Sequence, residues 1–328
     1  MRILHVVKRS LVRHTPARIA CYWGRYTEHT SLGICTSRRG GYGCQKSPLN
    51  SQGWFFADGR GGELEAEVSR ADVVHCHDDG YPTLLPQFRA AKRLIYQAHI
   101  GDIPKRLFKS GRYRYHRGVK HACITNGYGR FFDREEKRSG VSWGRLPDIL
   151  DLDHPVYRPD PELRAKNKKF TVVFTFSNRH EPGGKINAKA PVGHERLLAP
   201  LREEDVDVRI LSKLEFEQSM SEKARAHIVL DEVFSPYTHL SALEGAATGT
   251  CVLTNYDEYT RNDLCEYLGA PVESYPFVRV TQKNVVDKIR ELRDNPEEAE
   301  RIGRESRAWM EEFYHHEKLL NRYLQFYD

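Results

Sequence analysis

The stretch DEVFSPYTHLSALEGAATGTCVL, residues 231–253, decides how the rest of the chain is read. It follows a short apolar run, Ile228–Leu230, and leads into another, Cys251–Thr254. Asp231 and Glu232 close the first run. A polar loop comes next, then a predicted helix of small residues over Ser241–Thr248, then the second run. Strand, loop, helix and strand in that order make a crossover between parallel strands. Ser241 and Glu244 have the S-x-x-E spacing of a capping box, which is one reading of Glu244. The other is that its carboxylate accepts the two ribose hydroxyls of a nucleotide. Gly245 and Gly249 let the helix lie close to a ligand, where amides and dipole favour phosphate.

The same alternation runs outward on both sides. Toward the C-terminus, strands are predicted at Phe170–Phe176, Val206–Leu211 and Val278–Val280, and helices at His194–Leu201 and Val285–Asp294. Residues 296–327 carry Ile302, Trp309, Met310, Phe313, Leu319, Leu320 and Tyr323 at helical spacing, which predicts two consecutive helices. Toward the N-terminus, strands are predicted at Ile3–Val7, Leu32–Thr36, Asp72–His77, Leu94–His99 and Ala122–Thr125. Helices begin near Pro16, Thr83, Pro104 and Tyr128. Residues 38–62 read as a long loop with room for one strand. The fold class is therefore α/β, with two Rossmann-like, doubly wound domains. Pro155, Pro159 and Pro161 fall within seven residues and cannot continue a helix or a central strand, so the boundary lies there. The division is 1–155, a linker over 156–169, a second domain over 170–310, and a terminal helix over 311–328.

In open α/β sheets, ligands sit outside the carboxyl ends of the strands. One such place follows Phe176. Ser177, Asn178, Arg179, Lys185 and Lys189 lie there among two glycines, suited to gripping a diphosphate through backbone and charge-assisted hydrogen bonds. The alternative is a solvated basic loop.

Metal chemistry is not expected. The seven cysteines are odd in number and form no C-x-x-C pair, which fits reduced thiols in a cytosolic protein. His75-Cys76-His77 lies on a strand, where alternate residues face opposite sides, so Cys76 points away from both histidines and a structural role is the better reading. Asp78-Asp79 reads as a turn before Pro82. No apolar run reaches the ~20 residues of a membrane helix, and the N-terminus goes straight into a strand rather than a signal peptide. The expected location is the cytoplasm.

These pieces together carry a resemblance. Leu243-Glu244-Gly245-Ala246-Ala247-Thr248-Gly249-Thr250-Cys251-Val252 looks like the E-A-x-A-x-G-x-P-V segment of family-4-type retaining glycosyltransferases, which have the GT-B fold. Ser177-Asn178-Arg179 through Lys185 and Lys189 is similar to their phosphate-gripping loop. Ala71–His77 resembles their D-V-V-H-x-H strand, and Asp153 to Pro159 their interdomain D-x-x-x-F-x-P. The pattern resembles a divergent branch found in phage and environmental genomes.

The resemblance implies two domains facing across a cleft, the first holding the acceptor, the second the nucleotide sugar, and the terminal helix returning to the first. It implies a UDP-sugar as donor and no further cofactor. Glu244 would bind ribose. Arg179 and Lys185 would hold the diphosphate, with Lys189, Ser177 and Asn178 beside them. His239 and Ser241 would lie near the diphosphate or sugar. His99 matches the strand-end histidine that faces the donor sugar, so His99 and His239 are the candidate catalytic residues. The usual Glu-x7-Glu lacks its first member, because Pro236 stands eight residues before Glu244; Asp231 or Glu232 is the candidate substitute.

The acceptor is read from charge. Residues 1–150 carry 26 Lys and Arg against 13 Asp and Glu, a net of +13, whereas residues 151–328 carry a net of −7. Lys105, Arg106, Lys109, Arg112, Arg114 and Arg117 are interleaved with Phe108, Tyr113 and Tyr115. Basic side chains with aromatics between them suit a nucleic acid, an anionic glycan or a phospholipid-linked acceptor. Two rival readings stay open: a sugar-nucleotide 2-epimerase on the same fold, and a non-catalytic nucleic-acid or polyanion-binding protein.

Overall fold

Parallel strands covered on both faces are built from largely apolar runs, and most strands of this chain are such runs. A computed structural model describes residues 1–7, 15–36, 54–56, 62–78, 85–99, 118–125, 127, 129–175, 194–211, 214–231 and 233–328. They form two compact units, Met1–Leu150 with His316–Asp328, and Asp151–His315.

The first unit runs β1 (Arg2–Val7), α1 (Thr15–Tyr26), β2 (Thr30–Cys35), β3 (Trp54–Phe56), α2 (Glu63–Arg70), β4 (Val73–His77), β5 (Leu94–Ala98), β6 (Val119–Cys123), α3 (Gly129–Ser139) and β7 (Trp143–Arg145). The seven strands form one parallel sheet in the order β3-β2-β1-β4-β5-β6-β7. The order reverses between β1 and β4, the point at which such sheets bind ligands. One face packs Leu4, Val6, Val74, Cys76 and Tyr96 against Leu64 and Val68 of α2 and Phe132 of α3. Each fully buried side chain of this kind contributes roughly 1.5–3 kcal/mol. The other face presents His5, His75, His77 and Gln97.

The second unit runs α4 (Pro161–Ala165), β8 (Phe170–Thr175), α5 (His194–Leu197), α6 (Ala199–Glu203), β9 (Val206–Leu211), α7 (Phe216–Arg225), β10 (Ile228–Leu230), α8 (Leu240–Ala247), β11 (Cys251–Thr254), α9 (Glu258–Leu268), β12 (Val278–Arg279), α10 (Val285–Asp294) and α11 (Pro296–Phe313). Its parallel sheet has the order β12-β11-β10-β8-β9, reversing between β8 and β10. Local chemistry sets the helix ends. Asp160 caps α4 through the Leu163 amide with Pro161 at the first position, and Asp257 caps α9, which Gly269 closes at φ +71°.

The stretch 156–169, read above as a linker, folds as part of the second unit. Arg164 anchors it: buried, its Nη2 donates to the carbonyls of Gly249 (3.1 Å) and Ala224 (3.4 Å) and to Thr250 Oγ1 (3.1 Å). The last helix, α12 (His316–Tyr327), packs in the first unit. There Tyr323 accepts from Gln97 (3.3 Å) and donates to the Pro147 carbonyl (2.7 Å). Strand β7 and helices α2, α7 and α9 were not predicted. The helix expected near Thr83 is a single 3-10 turn at Leu85–Phe88, and the one near Pro104 lies outside the described residues. Among the described residues no helix is long and apolar enough to cross a membrane.

Candidate functional site

The site is built on the crossover from β10 to β11. Asp231 stands at the carboxyl end of β10, fully buried. Its Oδ2 accepts from the backbone N–H of His239 (3.0 Å), lies 3.2 Å from His239 Nδ1, and accepts from Thr254 Oγ1 (3.2 Å). One carboxylate thus ties the start of the loop to its end and to the next strand. The loop is held at two further points. Thr238 Oγ1 is 2.7 Å from the Tyr275 hydroxyl, and Thr260 Oγ1 donates to the Pro236 carbonyl at 2.6 Å. A loop pinned this way presents the head of α8 in a fixed position.

His239 is the N-cap residue of α8, with no side-chain cap. Ser241 is therefore the second helical residue, not the cap, and the capping box read from S-x-x-E is not formed. Its hydroxyl is buried and finds no partner among the described residues. Glu244 lies one turn further on the same face. It is buried and forms an ion pair with Lys223 of α7, which is buried as well. The helix sits tightly on the sheet: a Cβ on Gly245 would stand 2.9 Å from Val252 Cγ2 and 3.0 Å from Val229 Cβ. Any larger residue would push the helix outward. The arrangement offers a buried carboxylate, an unsatisfied hydroxyl and a helix N-terminus to one ligand, a combination suited to a ribose and its phosphates.

His239, Ser241 and Glu244 are thus brought together in the second unit. Ser177, Asn178, Arg179, Lys185, Lys189 and Glu232 lie outside the described residues, as do Lys105, Arg106, Lys109, Arg112, Arg114 and Arg117. Lys223 was missed by the sequence reading. Its signal was present but slight: it falls beside Met220 and Ala224 on the buried face of α7.

His99 lies in the first unit, buried, immediately after β5. Its backbone N–H donates to Asp78 Oδ1 at 2.8 Å, and its Nε2 is 2.8 Å from His77 Nδ1. It ends a row of histidines. His77 Nε2 is 3.1 Å from His5 Nδ1, and His75 Nδ1 is 2.7 Å from the Tyr327 hydroxyl. Burial holds all four well below the usual imidazole range, and for His5, His75 and His77 the neighbouring histidines add to it; His5 and His99 are pushed down to about 3. All four rings are neutral at ordinary pH.

Two parallel α/β units with these strand orders have counterparts among solved structures. The chain matches sucrose-phosphate synthase from Thermosynechococcus elongatus with a TM-score of 0.61 at 11% identity, covering 100% of this chain and 98% of that one. It matches Anabaena HepE in complex with UDP with a TM-score of 0.66 at 11% identity, over 99% of each chain. It matches the catalytic domain of starch synthase IV from Arabidopsis thaliana, bound to ADP and acarbose, with a TM-score of 0.56 at 12% identity, over 99% of each chain. The chain has the GT-B fold. No protein-family model matches the sequence, and no curated protein does either. At 11–12% identity the likeness extends to the fold alone.

Proposed function

We propose that the protein is a glycosyltransferase that moves a hexosyl group from a UDP-sugar to an acceptor with retention of configuration. The observation that carries this reading is the head of α8, where the buried Glu244 carboxylate and the Ser241 hydroxyl, unpartnered among the described residues, share one face above a loop pinned by Asp231. Glu244 would take the ribose hydroxyls, exchanging its contact with Lys223 for them or sharing it. The helix N-terminus would take the diphosphate, together with Arg179 and Lys185. As the glycosidic bond breaks, negative charge grows on the leaving diphosphate, and preorganised cations and amides lower the barrier there. That Anabaena HepE, which this chain resembles in fold, is solved in complex with UDP-glucose supports a UDP-sugar donor. The strongly basic first 150 residues support a polyanionic acceptor, such as DNA, an anionic glycan or a phospholipid-linked sugar.

The test is a thermal-shift panel of nucleotides and nucleotide sugars, followed by assay of UDP release. The expected result is stabilisation by UDP or UDP-glucose and slow acceptor-independent release of UDP. Isomerised donor sugar without UDP release would identify a 2-epimerase instead. No shift with any nucleotide, alongside tight nucleic-acid binding, would identify a binding protein.

A further inference from the structure

Three histidines of the first unit climb toward the carboxyl edge of its sheet. His5 stands two residues short of the end of β1, His77 is the last residue of β4, and His99 is the first beyond β5. These strands are neighbours in the sheet. The rings form one continuous chain: His5 Nδ1 is 3.1 Å from His77 Nε2, and His77 Nδ1 is 2.8 Å from His99 Nε2. His75 turns instead to the Tyr327 hydroxyl and stands outside this chain.

A neutral imidazole has one N–H and one lone pair. Burial keeps all three rings neutral. The middle ring therefore donates in one direction only, and its choice sets the other two. If His77 donates through Nδ1, His99 Nε2 accepts and the His99 proton sits on Nδ1. His77 Nε2 then accepts as well, and the His5 proton sits on Nδ1. In the opposite polarity His99 and His77 both donate through Nε2, and the His5 proton is left on Nε2. The spare N–H thus ends up on His99 Nδ1 in the first case and on His5 Nε2 in the second. Neither atom has a partner among the described residues. His5 is 0% exposed within the body of the sheet, whereas His99 lies at the carboxyl edge, where such sheets take their ligands. Native folds orphan buried N–H groups more rarely than lone pairs, which selects the first polarity. The backbone of His99 is held too. Asp78, in the left-handed region at φ +47°, accepts the His99 N–H at Oδ1 (2.8 Å) and donates its own N–H to the Gln97 carbonyl (2.9 Å). Backbone kept in that region clusters at functional sites.

We propose that His5 and His77 are positioning residues that fix the tautomer of His99, so that its Nδ1–H is offered as a neutral hydrogen-bond donor to a hydroxyl of the sugar carried by the nucleotide. The sugar as ligand rests on the glycosyltransferase reading; the tautomer does not. A nitrogen that already holds its proton takes no other, so His99 serves there as a donor and not as a general base. Without His77 the His99 ring reverts to the Nε2–H form that free histidine side chains prefer, and a lone pair replaces the donor. The chain revises the reading of His75-Cys76-His77 as structural: His77 belongs to the site through His99, while Cys76 packs in the opposite apolar core.

The experiment uses the full chain with isotope-labelled histidine. Long-range proton–nitrogen NMR spectra show which nitrogen of each ring holds the proton, and His99→Gln assigns the His99 signals. The expected result is a proton on Nδ1 of all three rings, with nitrogen–nitrogen coupling across the His77–His99 hydrogen bond. In His77→Phe the His99 proton should move to Nε2; in His77→Asn, whose amide N–H replaces the Nδ1 donor, it should stay. A proton on His99 Nε2 in the wild type overturns the proposal, as does an unchanged tautomer in folded His77→Phe. Should that variant fail to fold, the coupling decides: its presence supports the chain and its absence overturns it. Calorimetry reads the ligand. His77→Phe should weaken UDP-glucose about tenfold, the worth of one neutral hydrogen bond, leave UDP unchanged, and be rescued by His77→Asn. Unchanged UDP-glucose affinity in His77→Phe, or an equal loss for UDP, overturns the proposal. A wild type that binds neither nucleotide defeats the glycosyltransferase reading and with it the sugar ligand, a failure distinct from a wrong tautomer, which is read without ligand.

Discussion

At the scale of single residues, the pair Glu244–Lys223 sets the terms of any test of the donor site. A carboxylate buried opposite a buried ammonium cannot be removed without consequence: the remaining charge is left in a poor dielectric, at about 3–5 kcal/mol. Glu244→Ala is therefore expected to lose both UDP affinity and stability. Adding Lys223→Met removes the orphaned charge, so the double variant should regain most of its melting temperature but not its UDP affinity, measured by calorimetry. Recovery of both would show that Glu244 is purely structural. The histidines give a second prediction. An unfolded imidazole titrates near 6.5, whereas His5 and His99 in the fold are pushed down to about 3. Between these values the unfolded chain holds more protons, so stability rises with pH across that window and is lost as pH falls through it. Urea midpoints should be level above about pH 7 and drop steeply by pH 5. A flat profile down to pH 4 would contradict the burial of the cluster. Glu244 was legible in the sequence because a small-residue helix between two apolar runs gives it an address. Lys223 was not, because a lysine on a polar helix usually faces solvent.

At the scale of elements, close approach decides more than propensity does. A Cβ on Gly303 of α11 would stand 2.4 Å from the Gly249 carbonyl oxygen and 3.1 Å from the Cys251 amide nitrogen, both backbone atoms that cannot rotate away. Gly303→Ala should therefore destabilise the second unit by about 1–3 kcal/mol, despite alanine's better helix propensity. A neutral or stabilising effect in denaturant titration would mean that α11 stands off from β11. The strands β8, β10 and β11 were readable because buried parallel strands are runs of apolar residues of the right length, and the edge strand β9, VDVRIL, because its apolar residues alternate with polar ones. Helix α2 was not, since ELEAEVSR buries only Leu64 and Val68 and is otherwise polar. Strand β7, three residues long, is defined by its pairing to β6 rather than by any pattern of its own.

At the scale of the whole chain, the two halves carry opposite charge, a net of +13 over residues 1–150 and −7 over 151–328. Fold explains none of this, since net charge governs partners and solubility rather than topology. The GT-B architecture was legible from the twofold run of alternating strands and helices. The acceptor was not, because a basic segment attracts every polyanion through the same phosphate or sulfate contacts. Salt dependence separates the cases. If the acceptor is duplex DNA, the slope of log K against log salt should be about −0.9 for each phosphate neutralised. Lys105→Glu, Arg106→Glu and Lys109→Glu together should flatten that slope by roughly three contacts while leaving UDP affinity unchanged, because the donor reading assigns UDP to the other half of the chain. Flattening of the slope with UDP affinity intact would locate the acceptor on the basic segment. An unaltered slope would remove residues 105–109 from the acceptor site. A parallel loss of UDP affinity would mean that the charge asymmetry serves the donor, and the division of labour between the two halves would have to be abandoned.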